Sequence, residues 1–469
     1  MSKKQLTIYI SIAACAVVIF CVLFVMNLPQ SYDKTVVVDN AEEKKTLESA
    51  NPDAVSEVSL KRLPRDISAN EAFGIWGWCG DKLVAQYINP YFKFGSDGKF
   101  TGLPAPEPDN EHYDFSKNAL YMVNPSDENA EMLEKTGAYN HTWVYMSPDR
   151  NRLLLYEAYE AVGNGESQAE TPRLIPGDGA LSLEVHNGVK DRIKMYDAAT
   201  GQLTAIDEWE PKYFASTGAD GKMALQRDFG GAAWSADGKS IVYCNKAGAD
   251  LYIFTVYNTQ SMDKTVIAIE EKERRFDNIK VAAVSNDGKK LWFRGIKGTP
   301  KGFLEGYIDA NTKAALYVAD LENMGETGTK KLIDNVYECR ILSDGNTVVY
   351  FNYPNRSNFE SQLYAYDISQ NKNRLIDEHA VAQAFDISND EKRLIYIAGD
   401  GAAYDVNMIG LGAASDMTKL LLYKTGPNIY PAGAPLWNKD NSRIAVGLFT
   451  GEGRGGPAQV CILTLKKDK

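Results

Sequence analysis

The side chains that most often carry acid–base or metal chemistry are scarce in this chain of 469 residues. Histidine occurs four times, at His112, His141, His186 and His379. No two of these have the close spacing of a zinc motif, and no Gly-x-Ser-x-Gly segment provides a serine nucleophile. The sequence therefore contains no linear catalytic motif, although a site assembled from distant residues would leave none.

A glycine-rich segment matches one cofactor motif in form only. Residues 451–456 read GEGRGG, which fits the dinucleotide-binding pattern G-x-G-x-x-G. No helix or parallel strand follows, so no helix N-terminus is present to hold a pyrophosphate. We interpret the segment as a loop and predict no cofactor and no metal site.

Four cysteines lie outside the apolar N-terminal segment: Cys79, Cys244, Cys339 and Cys461. None of them has a CxxC or metal-ligand spacing. We expect buried, reduced thiols in strands. A disulfide between Cys79 and Cys461 is the alternative, because closure of a ring would bring the first and last repeats together.

One phrase recurs six times, and residues 234–243 (WSADGKSIVY) show it most clearly. The residues three before, four after and six after its turn aspartate are apolar in every copy, which predicts strands with one buried face. Asp-Gly between two such strands is a strong hairpin signal, and we assign the aspartates a structural role in the turns. The six turn aspartates are Asp149, Asp237, Asp287, Asp344, Asp390 and Asp440.

A second phrase, L-Y-x-x-D in its fullest form, follows these turns and predicts a third strand in each repeat. Residues 316–320 (LYVAD) and 363–367 (LYAYD) are the clearest copies. A degenerate seventh turn at residues 78–84 (WCGDKLV) matches the seventh third strand. Most third strands are followed by a further short apolar stretch. The pattern predicts an all-β fold of seven four-stranded antiparallel units, a seven-bladed β-propeller.

The phrases W-S-x-D-G-K-x-I and L-Y-x-x-D resemble the TolB-like family of WD40-like propeller repeats, also seen in the propeller domains of prolyl oligopeptidases. The resemblance covers roughly residues 70–465. Ser343 directly precedes Asp344, and Glu391 replaces the glycine after Asp390. These two departures leave six or eight blades as alternatives. The chain ends before an α/β-hydrolase domain would follow, so we do not expect peptidase activity.

The last repeat lacks a fourth strand, which would leave an unpaired sheet edge. We predict that a segment between Thr35 and Leu60, centred on residues 55–60, pairs as the outermost strand of the last blade.

The first charge-free run, residues 6–28, is long enough to cross a bilayer as a helix. Lys3 and Lys4 precede it and Asp33 is the first charge after it, so the positive-inside rule places the N-terminus in the cytoplasm. A cleaved signal peptide and lipidation of Cys15 are the alternatives to this signal anchor. The predicted divisions are a cytoplasmic N-terminus (1–5), a transmembrane helix (6–28), a stalk (29–54) and an extracytoplasmic propeller (55–469).

The net charge of −11 makes nucleic acid an improbable partner, because an acidic surface repels phosphate. Four long insertions, residues 88–117, 160–190, 295–313 and 352–361, are all predicted between second and third strands, on the face opposite the Asp-Gly turns. Aromatic residues in these insertions are candidate recognition residues, with packing beneath the loops as their alternative role. They are Tyr91, Phe92, Phe94, Tyr113, Phe115, Phe303, Tyr307, Tyr353 and Phe359.

These observations predict a membrane-anchored propeller that acts as a non-catalytic binding platform for an envelope protein, a peptide or a glycan. The alternative is a propeller enzyme of the sugar lyase, lactonase or cyclase type, with acidic and histidine side chains at the mouth of the channel. Convergence of His141, His186 or His379 with carboxylates at that mouth would favour the enzyme.

Overall fold

The structure of the chain is a computed structural model. It describes residues 51, 54–62, 72–88, 119–125, 130–135, 143–160, 173–177, 180–184, 189–210, 213–217, 223–227, 229–246, 251–270, 276–297, 313–322, 328–354, 360–399, 403–412, 419–426, 429–450 and 458–466. Within these ranges no helix is long and apolar enough to cross a bilayer. The predicted transmembrane helix, residues 6–28, lies outside the described residues.

Every helix or strand element in the described part of the chain is a β-strand. The first half comprises β1 (Val55–Arg62), β2 (Ala72–Cys79), β3 (Lys82–Ile88), β4 (Ala119–Val123), β5 (Ala130–Lys135), β6 (Trp143–Met146), β7 (Arg152–Glu160), β8 (Arg173–Gly177), β9 (Ala180–Glu184), β10 (Val189–Asp197), β11 (Gln202–Trp209), β12 (Tyr213–Thr217), β13 (Met223–Arg227), β14 (Phe229–Trp234), β15 (Ser240–Lys246) and β16 (Leu251–Asn258).

The second half of the chain continues with strands of two to nine residues, apart from β25 with 16 residues. These are β17 (Lys264–Glu270), β18 (Phe276–Val284), β19 (Lys290–Lys297), β20 (Ala315–Asp320), β21 (Thr329–Ile333), β22 (Val336–Ile341), β23 (Thr347–Asn352), β24 (Glu360–Asp367), β25 (Lys372–Ile387), β26 (Arg393–Gly399), β27 (Tyr404–Gly410), β28 (Leu420–Lys424), β29 (Ile429–Pro431), β30 (Leu436–Trp437), β31 (Arg443–Thr450) and β32 (Ala458–Leu465).

The strands form four-stranded antiparallel units in chain order. Strands β2–β5, β14–β17 and β18–β21 are simple meanders, and β6, β7, β10 and β11 form a fourth unit of the same order. Two further units share β25: residues 372–377 and 380–381 have partners in β24, whereas residues 380 and 385–387 have partners in β26. The ladder shifts register between these two parts, where Gln383 has a left-handed φ of 67°. The predicted third strands all lie in observed strands.

The first strands of successive units surround a central channel. Strands β2, β6, β14, β18, β22, β25 and β30 contact one another in that order, and β30 contacts β2 in turn. Antiparallel sheets arranged radially in this way are the architecture of a β-propeller. The all-β prediction is therefore confirmed for the described residues.

The N-terminal strand closes the ring, as the sequence predicts. Strand β1 pairs antiparallel with β32, with Val58 opposite Leu463 and Leu60 opposite Cys461. Val55 is only 5% exposed and lies in the core between the last two units, while Val58 and Leu60 pack against that core. The last sheet thus obtains its outermost strand from the beginning of the propeller, which covers an otherwise open edge.

The core consists of apolar layers between neighbouring sheets. Each hydrophobic cluster combines side chains of two successive units, as when Val242 and Phe254 meet Leu291 and Phe293. The apolar residues that the repeat places four and six after the turn aspartate are at most 4% exposed. Burial of this face supplies the main favourable free energy of the fold. These residues are Leu153, Ile241, Leu291, Val348, Leu394, Ile444, Leu155, Tyr243, Phe293, Tyr350, Tyr396 and Val446.

The four long insertions lie between second and third strands, as predicted from the repeat. They fall between β3 and β4, β7 and β10, β19 and β20, and β23 and β24. In an antiparallel meander these connections leave the sheet at the end opposite the first hairpin turn. The described ends of the insertions therefore leave the sheets on the face opposite the Asp-Gly turns, which we call the insertion face.

The prediction that residues 160–190 form only a loop is incomplete. Strands β8 and β9 lie in this insertion and form a separate four-stranded sheet with β12 and β13, which come from the connection between β11 and β14. That connection also leaves the second unit on the insertion face. The sequence reading missed this sheet because its strands are only five residues long and its two hairpins are distant in sequence.

Candidate functional site

A cavity of about 620 Å³ occupies the channel. Its walls are the first strands of the units, and its lining extends to the Asp-Gly turns at one end, including Asp287 and Asp344. Volumes of 300–1,000 Å³ are typical of sites for small molecules. The cavity is therefore the candidate site that the described residues offer.

The fourth and fifth units bring charged side chains to the cavity wall. Arg294 of β19 pairs with Glu338 of β22 at 3.5 Å, and Arg340 lies two residues further along β22. Lys280 of β18 directly precedes the lining residue Val281. Arg294 and Glu338 both act electrostatically on Lys280, so these charges lie close together.

Lys280 is an exposed residue of β18. Partial desolvation, followed by repulsion from Arg294, lowers the pKa of its ammonium group, which Glu338 only partly offsets. Its Nζ atom lies 5.5 Å from the centre of the Trp143 ring, which comes from the second unit. Trp143 is 44% exposed, an unusual state for so large an apolar side chain.

Arg150 links the second and sixth units at the turn end of the channel. Its Nη2 atom donates to Oδ2 of Asp386 at 2.7 Å, and its Nε atom donates to Oδ1 of Asn389 at 2.8 Å. Asp386 Oδ2 also accepts the backbone N–H of Trp437 at 2.9 Å. Both charged side chains are only 8% exposed, so the structure contains a buried ion pair with hydrogen bonds from both sides.

The residue after each turn aspartate adopts a left-handed conformation. Glycine occupies this position in the third, fourth and fifth units, as at Gly238 with a φ of 68°. Arg150, Glu391 and Asn441 adopt φ values of 52°, 55° and 58° at the equivalent positions, which costs a side chain with a Cβ some free energy. Glu391 therefore adopts the same turn conformation as the glycine that it replaces.

Each of these three non-glycine residues bonds to a different unit. Besides the contacts of Arg150, the Glu391 carboxylate accepts the backbone N–H of Ser343 at 2.9 Å and also its hydroxyl. Asn441 Oδ1 accepts the backbone N–H of Asn389 at 2.8 Å. Backbone strain at these turns therefore coincides with hydrogen bonds between units.

The six predicted turn aspartates all lie in the first hairpin turns, with their oxygens bonded inside those turns. The N–H group two residues after each aspartate donates to its carboxylate. In four turns a serine two residues before the aspartate also donates its hydroxyl. In the fifth unit Thr347 replaces that serine, with its Oγ1 donating at 2.8 Å, so Ser343 remains available to Glu391.

We expect the propeller to lose stability in acid, because its turn aspartates become protonated. In Asp149, Asp237 and Asp390 burial opposes ionisation, yet hydrogen bonds from serine and backbone outweigh it and lower the pKa of each carboxyl; in Asp440 the Ser442 hydroxyl contributes most. A folded-state pKa below the unfolded value near 3.9 gives stability that is present above about pH 4 and is lost as pH falls through the folded pKa.

We therefore expect the urea midpoint of unfolding to fall between about pH 5 and pH 3. Asp237→Asn should show a smaller decrease over that range, because it has no carboxyl to protonate in the third turn. Equal pH dependence in the variant and the native chain would contradict this role for Asp237.

Of the candidate aromatic residues, only Tyr353 is described. Its half-buried ring lies 5.4 Å from that of Tyr337, and its hydroxyl accepts the backbone N–H of Ala314 at 2.9 Å. These contacts are local packing among described residues. The other candidates, Tyr91, Phe92, Phe94, Tyr113, Phe115, Phe303, Tyr307 and Phe359, lie outside the described residues, so their roles stay predictions.

Three of the four histidines, His112, His141 and His186, also lie outside the described residues. His379 is 69% exposed, with Nδ1 located 3.8 Å from the Glu360 carboxylate. Among the described residues no three His, Cys, Asp or Glu side chains converge in a group that could hold a metal ion.

The four cysteines outside the apolar N-terminal segment are buried and free. Burial raises the pKa of the Cys79, Cys339 and Cys461 thiols to about 12. Cys79 lies in the core between the first two units, whereas Cys461 lies in the core between the last two. The alternative of a disulfide between Cys79 and Cys461 is therefore wrong: closure pairs the repeats but buries these residues in different layers.

One set of contacts between units was missed by the sequence reading. Arginines three residues after a turn aspartate stack on tryptophans three residues before the next one, at 4.8–5.1 Å from the ring centres. Cation–π contacts of this kind contribute about 0.5–2 kcal/mol each. A comparison of these two positions between successive repeats would have revealed the pairs, which are Arg152 with Trp234, Arg393 with Trp437, and Arg443 with Trp78.

No protein-family model matches the sequence, and comparison with curated proteins gives no match. Solved structures with similar folds include TolB from Acinetobacter baumannii, 14% identical, covering 62% of this chain and 80% of TolB with a TM-score of 0.32. An oligogalacturonate lyase in complex with manganese is 10% identical, with coverages of 87% and 97% and a TM-score of 0.47. The β-propeller domain of the trilobed protease from Pyrococcus furiosus is 10% identical, with coverages of 84% and 98% and a TM-score of 0.44.

Proposed function

We propose that the chain is a single-pass, bacterial-type membrane protein that displays a seven-bladed propeller outside the membrane as a non-catalytic binding platform. Its partner is an envelope protein, a peptide or a glycan. Residues 6–28 are the signal anchor, residues 29–54 the stalk, and residues 55–469 the propeller. The circular order of the first strands supports a count of seven blades, with two blades sharing β25.

The observation that carries this proposal is the clustering of inserted chain on one face. All four long insertions and the additional sheet of β8, β9, β12 and β13 leave the propeller on the insertion face. Loops on a rigid scaffold commonly provide binding residues. Among the described residues, the opposite face carries the short first hairpin turns, whose aspartates bond within those turns.

Crosslinking in intact cells, followed by capture of the full chain, tests the platform. We expect a defined partner to be recovered in a constant ratio to the chain, with recovery lost when the propeller residues are deleted and residues 1–54 are retained. Recovery of the same partner by residues 1–54 alone would contradict binding by the propeller.

A propeller enzyme remains the second proposal, supported by a cavity in the size range of small-molecule sites. This reading predicts turnover of a small substrate by the purified chain. Conversion of many substrate molecules by each chain, abolished by substitutions in the cavity wall, would favour the enzyme over the binding platform.

A further inference from the structure

The cavity wall contains positive charge that the described residues do not neutralise. Arg150 is paired with Asp386, and Arg294 with Glu338. Among the described residues, neither Lys280 nor Arg340 has an ion pair or a hydrogen bond from its side chain. The contact of Lys280 is with the Trp143 ring. The described residues thus leave two cations without a paired carboxylate in a chain with a net charge of −11. Arg340 lines the cavity, and Lys280 directly precedes the lining residue Val281.

These cations form one group. Lys280 and Arg294 are opposite each other in the ladder between β18 and β19, Arg294 pairs with Glu338 at 3.5 Å, and Arg340 lies two residues beyond Glu338 on β22. Three cations and one carboxylate thus lie on adjacent strands of the fourth and fifth units. Their mutual repulsion inside channel walls costs free energy, which a bound anion would offset.

The neighbouring wall leaves room beside this group. Gly231 of β14 has a φ of +89°, and an added Cβ would lie 3.6 Å from the Tyr145 hydroxyl and 3.8 Å from the Val281 nitrogen. A side chain here would therefore both strain the backbone and occupy space between the second and fourth units. The third unit instead presents bare backbone at this level of the channel.

We infer that Lys280, Arg294 and Arg340 form an anion-binding site that takes the oxyanion of a small ligand, a carboxylate or a phosphate. Arginine presents paired N–H donors that match both groups, and Lys280 adds a mobile positive charge. The inference deepens the proposed function and rests on it in one respect: it assigns a ligand class to the channel of the binding platform.

Calorimetric titration of the full chain in detergent with citrate, and separately with inorganic phosphate, tests the site. We expect at least one of the two to bind, and the Lys280→Gln/Arg340→Gln variant to bind it at least about tenfold more weakly. Lys331→Gln, which removes an exposed lysine from the outer strand β21, should bind as the native chain does. Arg340→Lys should retain part of the affinity, because it keeps the charge.

Preferential binding of citrate would identify a carboxylate ligand, and preferential binding of phosphate a phosphate ligand. The inference is overturned if neither probe binds at about 10 mM, or if affinity is the same in the double variant. Thermal unfolding of the double variant checks its fold, and citrate or phosphate should raise the unfolding temperature of the native chain only. Capture of the cellular partner by the native chain separates the two proposals. If the partner is recovered but neither citrate nor phosphate binds, the anion site alone is refuted.

Discussion

Replacing Asp386 by alanine should lower the free energy of unfolding by about 3–5 kcal/mol. The change leaves the guanidinium group of Arg150 buried without its counter-charge, since both side chains are only 8% exposed. It also removes the acceptor of the Trp437 backbone N–H. Urea unfolding followed by tryptophan fluorescence measures the loss.

A double-mutant cycle with Arg150→Gly separates the ion pair from the backbone. Glycine relieves the left-handed φ of 52° at position 150 and removes the buried charge. We expect the double variant to be more stable than the sum of the two single losses predicts, with a coupling of about 2–3 kcal/mol. Additive losses would show that the pair does not connect the second and sixth units energetically. Asp386→Asn, which keeps an acceptor, is the matched conservative control.

Removal of the closing strand should have the second large effect. A fragment of residues 63–469 lacks β1, whereas a fragment of residues 46–469 retains the whole compact unit. The shorter fragment loses the backbone ladder between β1 and β32 and the burial of Val55. At about 1 kcal/mol for each net hydrogen bond, we expect a loss of about 5 kcal/mol.

The comparison of the two fragments by urea unfolding measures this loss. The exposed edge of β32 should also promote self-association, which sedimentation would detect. Val55→Asp/Val58→Asp in the longer fragment is the matched variant, because it preserves chain length and disrupts the packing of β1. Equal stability of the two fragments would contradict closure by this strand.

The parts of the fold that could be predicted from the sequence depend on local patterns. Apolar residues at two-residue spacing after each turn aspartate predicted the buried face of the strand. Leu153 and Ile241, two of these residues, are fully buried. The missing fourth strand in the last repeat predicted β1 as its substitute. Both inferences need only the periodicity of a strand and the cost of an open edge.

The buried ion pair required information that the repeat does not contain. Arg150 and Asp386 lie in different repeats, and two other units separate them in the ring. The sequence does show that Arg150, Glu391 and Asn441 stand where other turns have glycine. A non-glycine residue at a position with a left-handed φ indicates a contact that offsets the backbone strain. The partner in that contact can be identified only once the order of the units in the ring is known.

The candidate anion site was also beyond the sequence patterns. Lys280, Arg294 and Arg340 come from three strands, and no linear motif links them. The repeat register does place Arg340 and Asp386 at the same position, four residues before their turn aspartates, where both line the cavity. The register alone could therefore have identified these two lining positions, which were not predicted, whereas the pairing of their charges required the folded chain.

The most direct test of the platform is a comparison of its two faces in living cells. A photoreactive benzoylphenylalanine at position 143 lies at the end of the channel nearest the insertion face, and the same residue at position 239 lies in an exposed turn on the opposite face. We predict that the cellular partner is crosslinked from position 143 and not from position 239. Crosslinking from position 239 alone, or equally from both, would contradict binding at the insertion face.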